Sequence, residues 1–149
     1  MNQPVSFKEN VLIVSALPLA PARRISGWAE GDDVFMGERL EDSISHKVGA
    51  DGAMSINLNA NRAGKLTLKL METSPDNAFL NYIHSIQGGG SVTFAPINVL
   101  FQGLTTGDSI GGVAGYIQKL ADIKRGNGVN EQEWVIIVED YEALLGARV

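Results

Sequence analysis

The stretch "SINLNANRAGKLTLKLMETSPDN" (residues 55–77) decides how this chain folds. In its middle, "GKLTLKLM" (64–71) sets Leu66, Leu68 and Leu70 against Lys65, Thr67 and Lys69. The overlapping "AMSINLNA" (53–60) sets Met54, Ile56 and Leu58 against Ser55, Asn57 and Asn59. Period-two alternation marks strands with one face in a core and the other in water or at a polar contact. Ile56, Leu58, Leu66, Leu68 and Leu70 are therefore expected to point inward. Next, "TSPDNAFLNYIHSIQGGG" changes the period. Ser74 reads as an N-cap, Pro75 as the first helical residue, and Asp76 as a first-turn charge that suits the helix dipole. Phe79, Ile83 and Ile86 share a stripe flanked by Leu80 and Tyr82, and Gly88–Gly90 ends the helix.

The remaining segments read mostly as strands. "NVLIVSA" (10–16) is strand-like. "PLAPARRIS" (18–26) is barred from a central position, because Pro18 and Pro21 lack the ladder donor. "GWAEGDDVFMGERLEDSISHKVG" (27–49) reads as a long hairpin with its tip near Arg39–Ser43, and "KVGADGAM" (47–54) as a tight turn. "SVTFAPINVLFQG" (91–103), "GVAGYIQKLADIK" (112–124) and "EWVIIVED" (133–140) are further strands, the last with either Trp134, Ile136 and Val138 or Val135 and Ile137 inward. The 17 glycines punctuate short apolar runs. The expectation is a single domain over 1–149, mainly β, with seven to nine strands in a sandwich or barrel and one flanking helix at about 75–87.

Composition narrows the function. Cysteine is absent, which removes a disulfide scaffold and any thiolate metal site. No run of about 18 apolar residues exists to span a membrane. "VLIVSALPLA" (11–20) has only Lys8, beside Glu9, for a basic flank and contains Pro18, so it reads as a first strand rather than a signal peptide. Net charge is −5, with 17 acids and 12 bases, and residues 76–149 hold 8 acids to 4 bases. Such a chain lacks the basic stripe of a nucleic-acid reader.

Candidate chemistry is sparse. His46 and His84 are the only histidines, and neither has a second ligand at metal spacing. No Gly-x-Ser-x-Gly elbow occurs. Asp32, Asp33, Glu38, Glu41 and Asp42 crowd around Arg39, but without the alternation of a calcium loop they read as a solvated acidic hairpin. "GGVAG" (111–115) lacks the Gly-Lys-Ser/Thr ending of a phosphate loop and reads as a strand with close backbone approach. "VLFQG" (99–103) matches part of a viral protease tag site, yet it lies in an alternating strand and reads as native sequence. No catalytic, cofactor or metal residues are assigned.

The ordered series "EDSISHKVGADGAM", "AGKLTLKLMETSPDNAFLNYI" and "NEQEWVIIVEDYEALLG" resembles the major tail tube proteins of contractile-tailed bacteriophages, over about Val11 to Gly146. The resemblance implies a structural, non-enzymatic subunit of the virion tail, assembled in the host bacterial cytoplasm. It implies hexameric rings whose sheets join into an inner barrel, stacked head to tail around a channel. Partners would be further copies, the tail sheath protein, and tube initiator and terminator proteins. Double-stranded DNA would pass without specific binding during genome ejection. In this family a long hairpin reaches the adjacent ring. Residues 33–49 are the candidate here, with Glu38, Arg39, Leu40, Glu41, Asp42 and Ser43 as the stacking tip. "GADG" would then turn the chain back into the subunit body. Asp32, Asp33, Glu38, Glu41 and Asp42 would supply acidic lumen or hairpin charge. Lys65 and Lys69 are expected at a subunit contact or on the outer side, paired with a neighbour's acids. The helix is a candidate for the outer wall. Two alternatives stay open: an initiator or terminator of the same fold, and a small β-barrel holding a ligand in its mouth.

Overall fold

The computed structural model describes residues 10–17, 19–29, 34–89, 94–103, 107–123, 125–128 and 130–146. Among them run strands β1 (Asn10–Ala16), β2 (Ala20–Arg24), β3 (Phe35–Arg39), β4 (Ile44–Val48), β5 (Met54–Leu58) and β6 (Gly64–Met71). Helix α1 (Asp76–Gly88) follows, then β7 (Ile97–Gly103), β8 (Ser109–Ile117), β9 (Glu131–Val138) and β10 (Asp140–Leu144). Eight strands form one antiparallel sheet in the order β2-β1-β7-β8-β9-β6-β3, with β10 also beside β8. Among the described residues β4 and β5 pair only with each other.

The large sheet folds back on itself at β8. Residues 109–113 of β8 pair with β10, residues 109–115 with β7, and Tyr116 and Ile117 with β9. The bend uses the glycines of "GGVAG". A Cβ on Gly112 or Gly115 would lie 2.8 Å from a Val138 methyl, and Ala114 between them takes φ 55°. Close approach is thus the role of this segment, as its sequence indicates. The two layers enclose one core. Leu12, Val14, Ile97 and Val99 from one side meet Leu66, Leu68, Leu70, Trp134, Ile136 and Val138 from the other. Phe35 of β3 stacks on Phe101 of β7 across the gap, 4.3 Å between centroids.

The layers cross steeply. β10 lies at the Gly64 end of β6, where Tyr141 N–H donates to the Arg62 carbonyl at 2.9 Å. A Cβ on Gly64 would overlap the Tyr141 ring. The chain leaving β2 lies at the other end, where Met71 N–H donates to Gly27 O at 2.8 Å and Trp28 bridges Leu70. β2 and β10 are four strand spacings apart, roughly 19 Å, while eight residues of β6 reach roughly 23 Å. One layer's strand order therefore runs along the other layer's strands, the orthogonal form of a β-sandwich.

Helix α1 plugs one mouth of the sandwich. Leu80 and Ile83 are fully buried, with Phe79 and Ile86 packed beside them, so the stripe is turned slightly from the expected one. Pro75 occupies the cap position, and Ser74 Oγ accepts the Asp76 N–H at 3.3 Å. Asp76 does more than meet the dipole. Its buried carboxylate accepts from Ser26 N–H (2.6 Å) and Ser26 Oγ (3.1 Å) and pairs with Arg23 Nε (2.5 Å). Gln87 donates to the Ala95 and Gly115 carbonyls and accepts from Ile117 N–H, which fixes the far end of the helix.

Several expectations need correction. The segment 112–124 leaves the sheet after Ile117, and β10 follows β9 after Glu139 alone. The chain 27–49 is not one hairpin, because β3 pairs with β6 while β4 pairs with β5. Ile56 and Leu58 do not enter the core; they are 61% and 80% exposed. Leu66, Leu68, Leu70, Trp134, Ile136 and Val138 are buried as the alternation indicates.

Candidate assembly surface

The hairpin β4–β5 is the most distinctive surface of the molecule. Its register pairs Ile44 with Leu58, His46 with Ile56, and Val48 with Met54. These residues share one face, since side chains two apart point the same way. Ser45, Lys47, Ser55 and Asn57 occupy the other face. Every residue of both strands is exposed. An isolated two-stranded hairpin is marginally stable in water, and five large aliphatic side chains on one face leave it incomplete without a cover.

Its two ends are built differently. At the tip, "GADG" closes the turn: Gly49 N–H donates to Ala53 O at 2.7 Å, Asp51 Oδ1 accepts from Ala53 N–H at 3.0 Å, and Gly52 takes φ +88°. "GADG" is thus the distal turn of the projecting hairpin and does not return the chain to the body. At the root, Asn59 Nδ2 donates to Glu41 Oε2 (2.9 Å) and to the Asp42 carbonyl (3.1 Å). Arg39 reaches Ser43 Oγ and the Tyr141 carbonyl, each at 2.9 Å. Leu40 N–H donates to Ala63 O at 3.1 Å. Glu38, Arg39, Leu40, Glu41, Asp42 and Ser43 are therefore the anchored base of the hairpin, not its tip. The shift arises because Arg39 and Leu40 are still tied to the β6 side of the sheet, so the reaching strand begins only at Ile44.

The expected acidic cluster divides. Glu38, Glu41 and Asp42 stand exposed around the root, while Asp32 and Asp33 lie outside the described residues. Lys65 and Lys69 are on the outward face of β6, opposite Glu38 of β3 and Glu133 of β9. Their acidic cross-strand neighbours belong to the same subunit. Beside the root, Arg62 holds Asp140 Oδ1 at 3.1 Å and also pairs with Glu142. Burial pushes the Tyr141 phenol above its ordinary pKa; the Arg39 charge opposes this and Glu38 reinforces it.

Among the described residues no group of three or more His, Asp and Glu could hold a metal ion. His46 sits on the hairpin and His84 on the helix, far apart in the topology. Among the described residues no helix is long and apolar enough to cross a membrane. The alternation of "AMSINLNA" signals the hairpin's apolar face, which lies on the surface and not, as expected, in the core.

Comparison with known proteins places the fold and the family. The fold is similar to a chain of the sheath–tube complex of the extracellular contractile injection system PVC in its extended state (TM-score 0.64, 11% identity, 97% of this chain and 94% of that one). It is also similar to a chain of the PVC sheath/tube terminator (0.63, 9%, 97% and 99%) and of a native gene transfer agent virion (0.55, 12%, 97% and 100%). In sequence it is 26% identical over 112 residues to "Structural protein ORF10" of Pseudomonas phage KPP10, covering 75% of this chain and 64% of that relative's length. Residues 20–146 match the model of the bacteriophage PhiTE tail tube protein family, and the chain belongs to that family of structural virion tail proteins.

Proposed function

We propose that this chain, as a single domain over residues 1–149, is the repeating subunit of a contractile tail's tube. Six copies close a ring, rings stack head to tail, and double-stranded DNA passes through the channel without specific binding. The observation that carries this reading is the uncovered apolar face of β4–β5. Five large aliphatic side chains on a marginal hairpin need a second surface, and a subunit repeated along an axis supplies one in every ring. A ring-to-ring contact of this kind is heterologous, so it propagates into a filament. The hairpin 44–58 makes the stacking contact, and the root Glu38–Ser43 sets its angle.

The PVC sheath–tube likeness supports a sheath partner outside the tube, and the terminator likeness supports a partner that ends it. An initiator starts the stack by the same logic. An acidic or neutral channel favours passage, because a ring of uncompensated lysines would grip phosphates. The Lys65–Glu38 and Lys69–Glu133 oppositions keep β6 from offering one. The similar match to a terminator favours a second reading, in which the chain caps a tube and does not extend it. Negative-stain microscopy of the purified protein separates the two. Long hollow filaments are the expected result; single rings favour the terminator, and a monomer at high concentration overturns both.

A further inference from the structure

The layer β2-β1-β7-β8-β10 ends in two outer strands on opposite sides of the subunit. We infer that the ring is closed by β10 of one subunit pairing with β2 of the next, in parallel, with Ala143 opposite the neighbour's Arg23. The inference rests on the ring proposed above and specifies the strands, direction and register of its joint.

Direction follows from topology. β2, β7 and β10 run the same way, because each is antiparallel to an intervening β1 or β8. Rotation about a ring axis preserves strand direction, so a β10–β2 joint between copies is parallel.

Register follows from the open backbone groups. Ile25 N–H donates to Leu12 O, so the next alternate groups toward β1 are those of Arg23, and Arg24 turns its own to the open side; beyond Arg23 the ladder shifts register, so Arg24 sets the joint. On β10, Tyr141 N–H goes to Arg62 O and its carbonyl accepts from Arg39, which marks the outer side of that strand. Ala143, two residues on, then turns its N–H and C=O outward beyond that block. In a parallel ladder one residue bonds to the two that flank its partner. Ala143 opposite the neighbour's Arg23 gives Arg24 N–H of the neighbour to the Ala143 carbonyl.

Two independent features agree with this register. The first is the pleat. Arg23 shares a face with Val14, and Ala143 with Ile110, Phe101 and Leu12, all on the core side. Arg24, Glu142 and Leu144 all lie on the opposite face. The second is charge. One row across the outward face reads Arg24, Ile13, Leu100, Gly111, Glu142, basic at one end and acidic at the other. Joining copies brings Glu142 diagonal to the neighbour's Arg24, a favourable pair. The joint makes this layer the continuous barrel and turns the face of Ile13, Asn98, Leu100 and Gln102 to the channel. Lys65 and Lys69 then stand on the other layer.

The test uses the absence of native cysteine. Arg24→Cys and Leu144→Cys together place thiols on directly opposed residues of neighbouring copies. Within one subunit these positions are four strands apart, roughly 19 Å, and a disulfide needs Cα atoms within about 7 Å. Any disulfide is therefore between subunits. Filaments of the double variant, mildly oxidised and run without reductant, are expected to give a covalent ladder. If the double variant does not fold or assemble, the two single variants are mixed as minority subunits into wild-type filaments, and one specific covalent dimer is expected. Filaments that yield neither ladder nor dimer overturn this joint and leave the tube reading intact. Wild-type protein that never assembles overturns the tube reading, and the joint with it.

Discussion

Ile56→Ser isolates the hairpin's role in stacking. Ile56 is at the centre of the apolar face, opposite His46, and is 61% exposed in the free subunit. Fully burying such a side chain is worth about 1.5–3 kcal/mol. The fraction still open to burial makes its contribution to the next-ring contact about 1–2 kcal/mol. Serine keeps β-compatible size and solubility while removing most of that area. At about 1.4 kcal/mol per tenfold in an equilibrium constant, the concentration needed for filament growth should rise roughly 5- to 30-fold. The free subunit should barely respond, because a substitution at an exposed site moves stability by about 0.5 kcal/mol or less. Sedimentation across a concentration series gives the first quantity and thermal unfolding of the dilute protein the second. Unchanged assembly with Ile56→Ser would refute the argument that this face is buried in the tube. A large loss of subunit stability would refute the assignment of the face to the surface.

Other substitutions probe the subunit itself. Leu68→Ala should cost about 2–5 kcal/mol in chemical denaturation, because Leu68 is fully buried between the layers; parental stability would contradict the β6 register. Gly64→Ala should cost about 1–3 kcal/mol by forcing a methyl into the Tyr141 ring, and adding Tyr141→Ala should make the alanine tolerable at position 64, seen as a smaller penalty in that background. Asp76→Ala should cost about 1.5–3 kcal/mol through the lost charged hydrogen bonds to Ser26, read from the same unfolding curves. Tyr141 should be the late-titrating phenol in an alkaline absorbance titration. Its raised pKa means the unfolded chain ionises first, so its contribution is full below about pH 10 and is lost as pH rises toward the folded value. Tyr141→Phe should remove that part of the alkaline loss of stability.

Much of the subunit could be read from local pattern, for reasons visible in particular residues. "GKLTLKLM" is both alternating and central, with a partner on each side, so its pattern and its burial agree. Pro21 bars its segment from the sheet interior, and β2 is an outer strand, while Pro18 lies outside the described residues. "GGVAG" carried its meaning because two glycines at a bend answer a steric demand from Val138. Pairing partners were harder. Nothing local in "FMGER" says that it pairs with β6, 27 residues on from Gly37 to Gly64, and not with the adjacent "ISHKV". That choice depends on which edge of the core is open, which is a property of the whole chain. β10 was missed for a related reason: Glu139 alone separates it from β9, too short an interruption for any turn signature.

The hairpin exposes a limit of a different kind. "SINLN" and "LTLKL" have the same alternation, and both announce a face that must leave water. Pattern states the need for burial; it does not say which molecule does the burying. In β6 the cover comes from β1 and β7 of the same chain. In β4–β5 nothing among the described residues covers Ile44, Val48, Met54, Ile56 or Leu58. The one local difference is on the opposite face. β6 alternates leucine with Lys65 and Lys69, whose long stems lie half-buried among sheet neighbours, and with the buried Thr67, whereas β5 alternates with Ser55 and Asn57, short polar groups suited to open water on both sides. A strand whose apolar face is strong and whose polar face is short and uncharged is poorly placed in a sheet interior and well placed on a projecting arm. An alternating run of that composition, closed by a turn such as "GADG" and rooted by a side-chain lock such as Asn59 to Glu41, is therefore better assigned to an intermolecular contact than to the core.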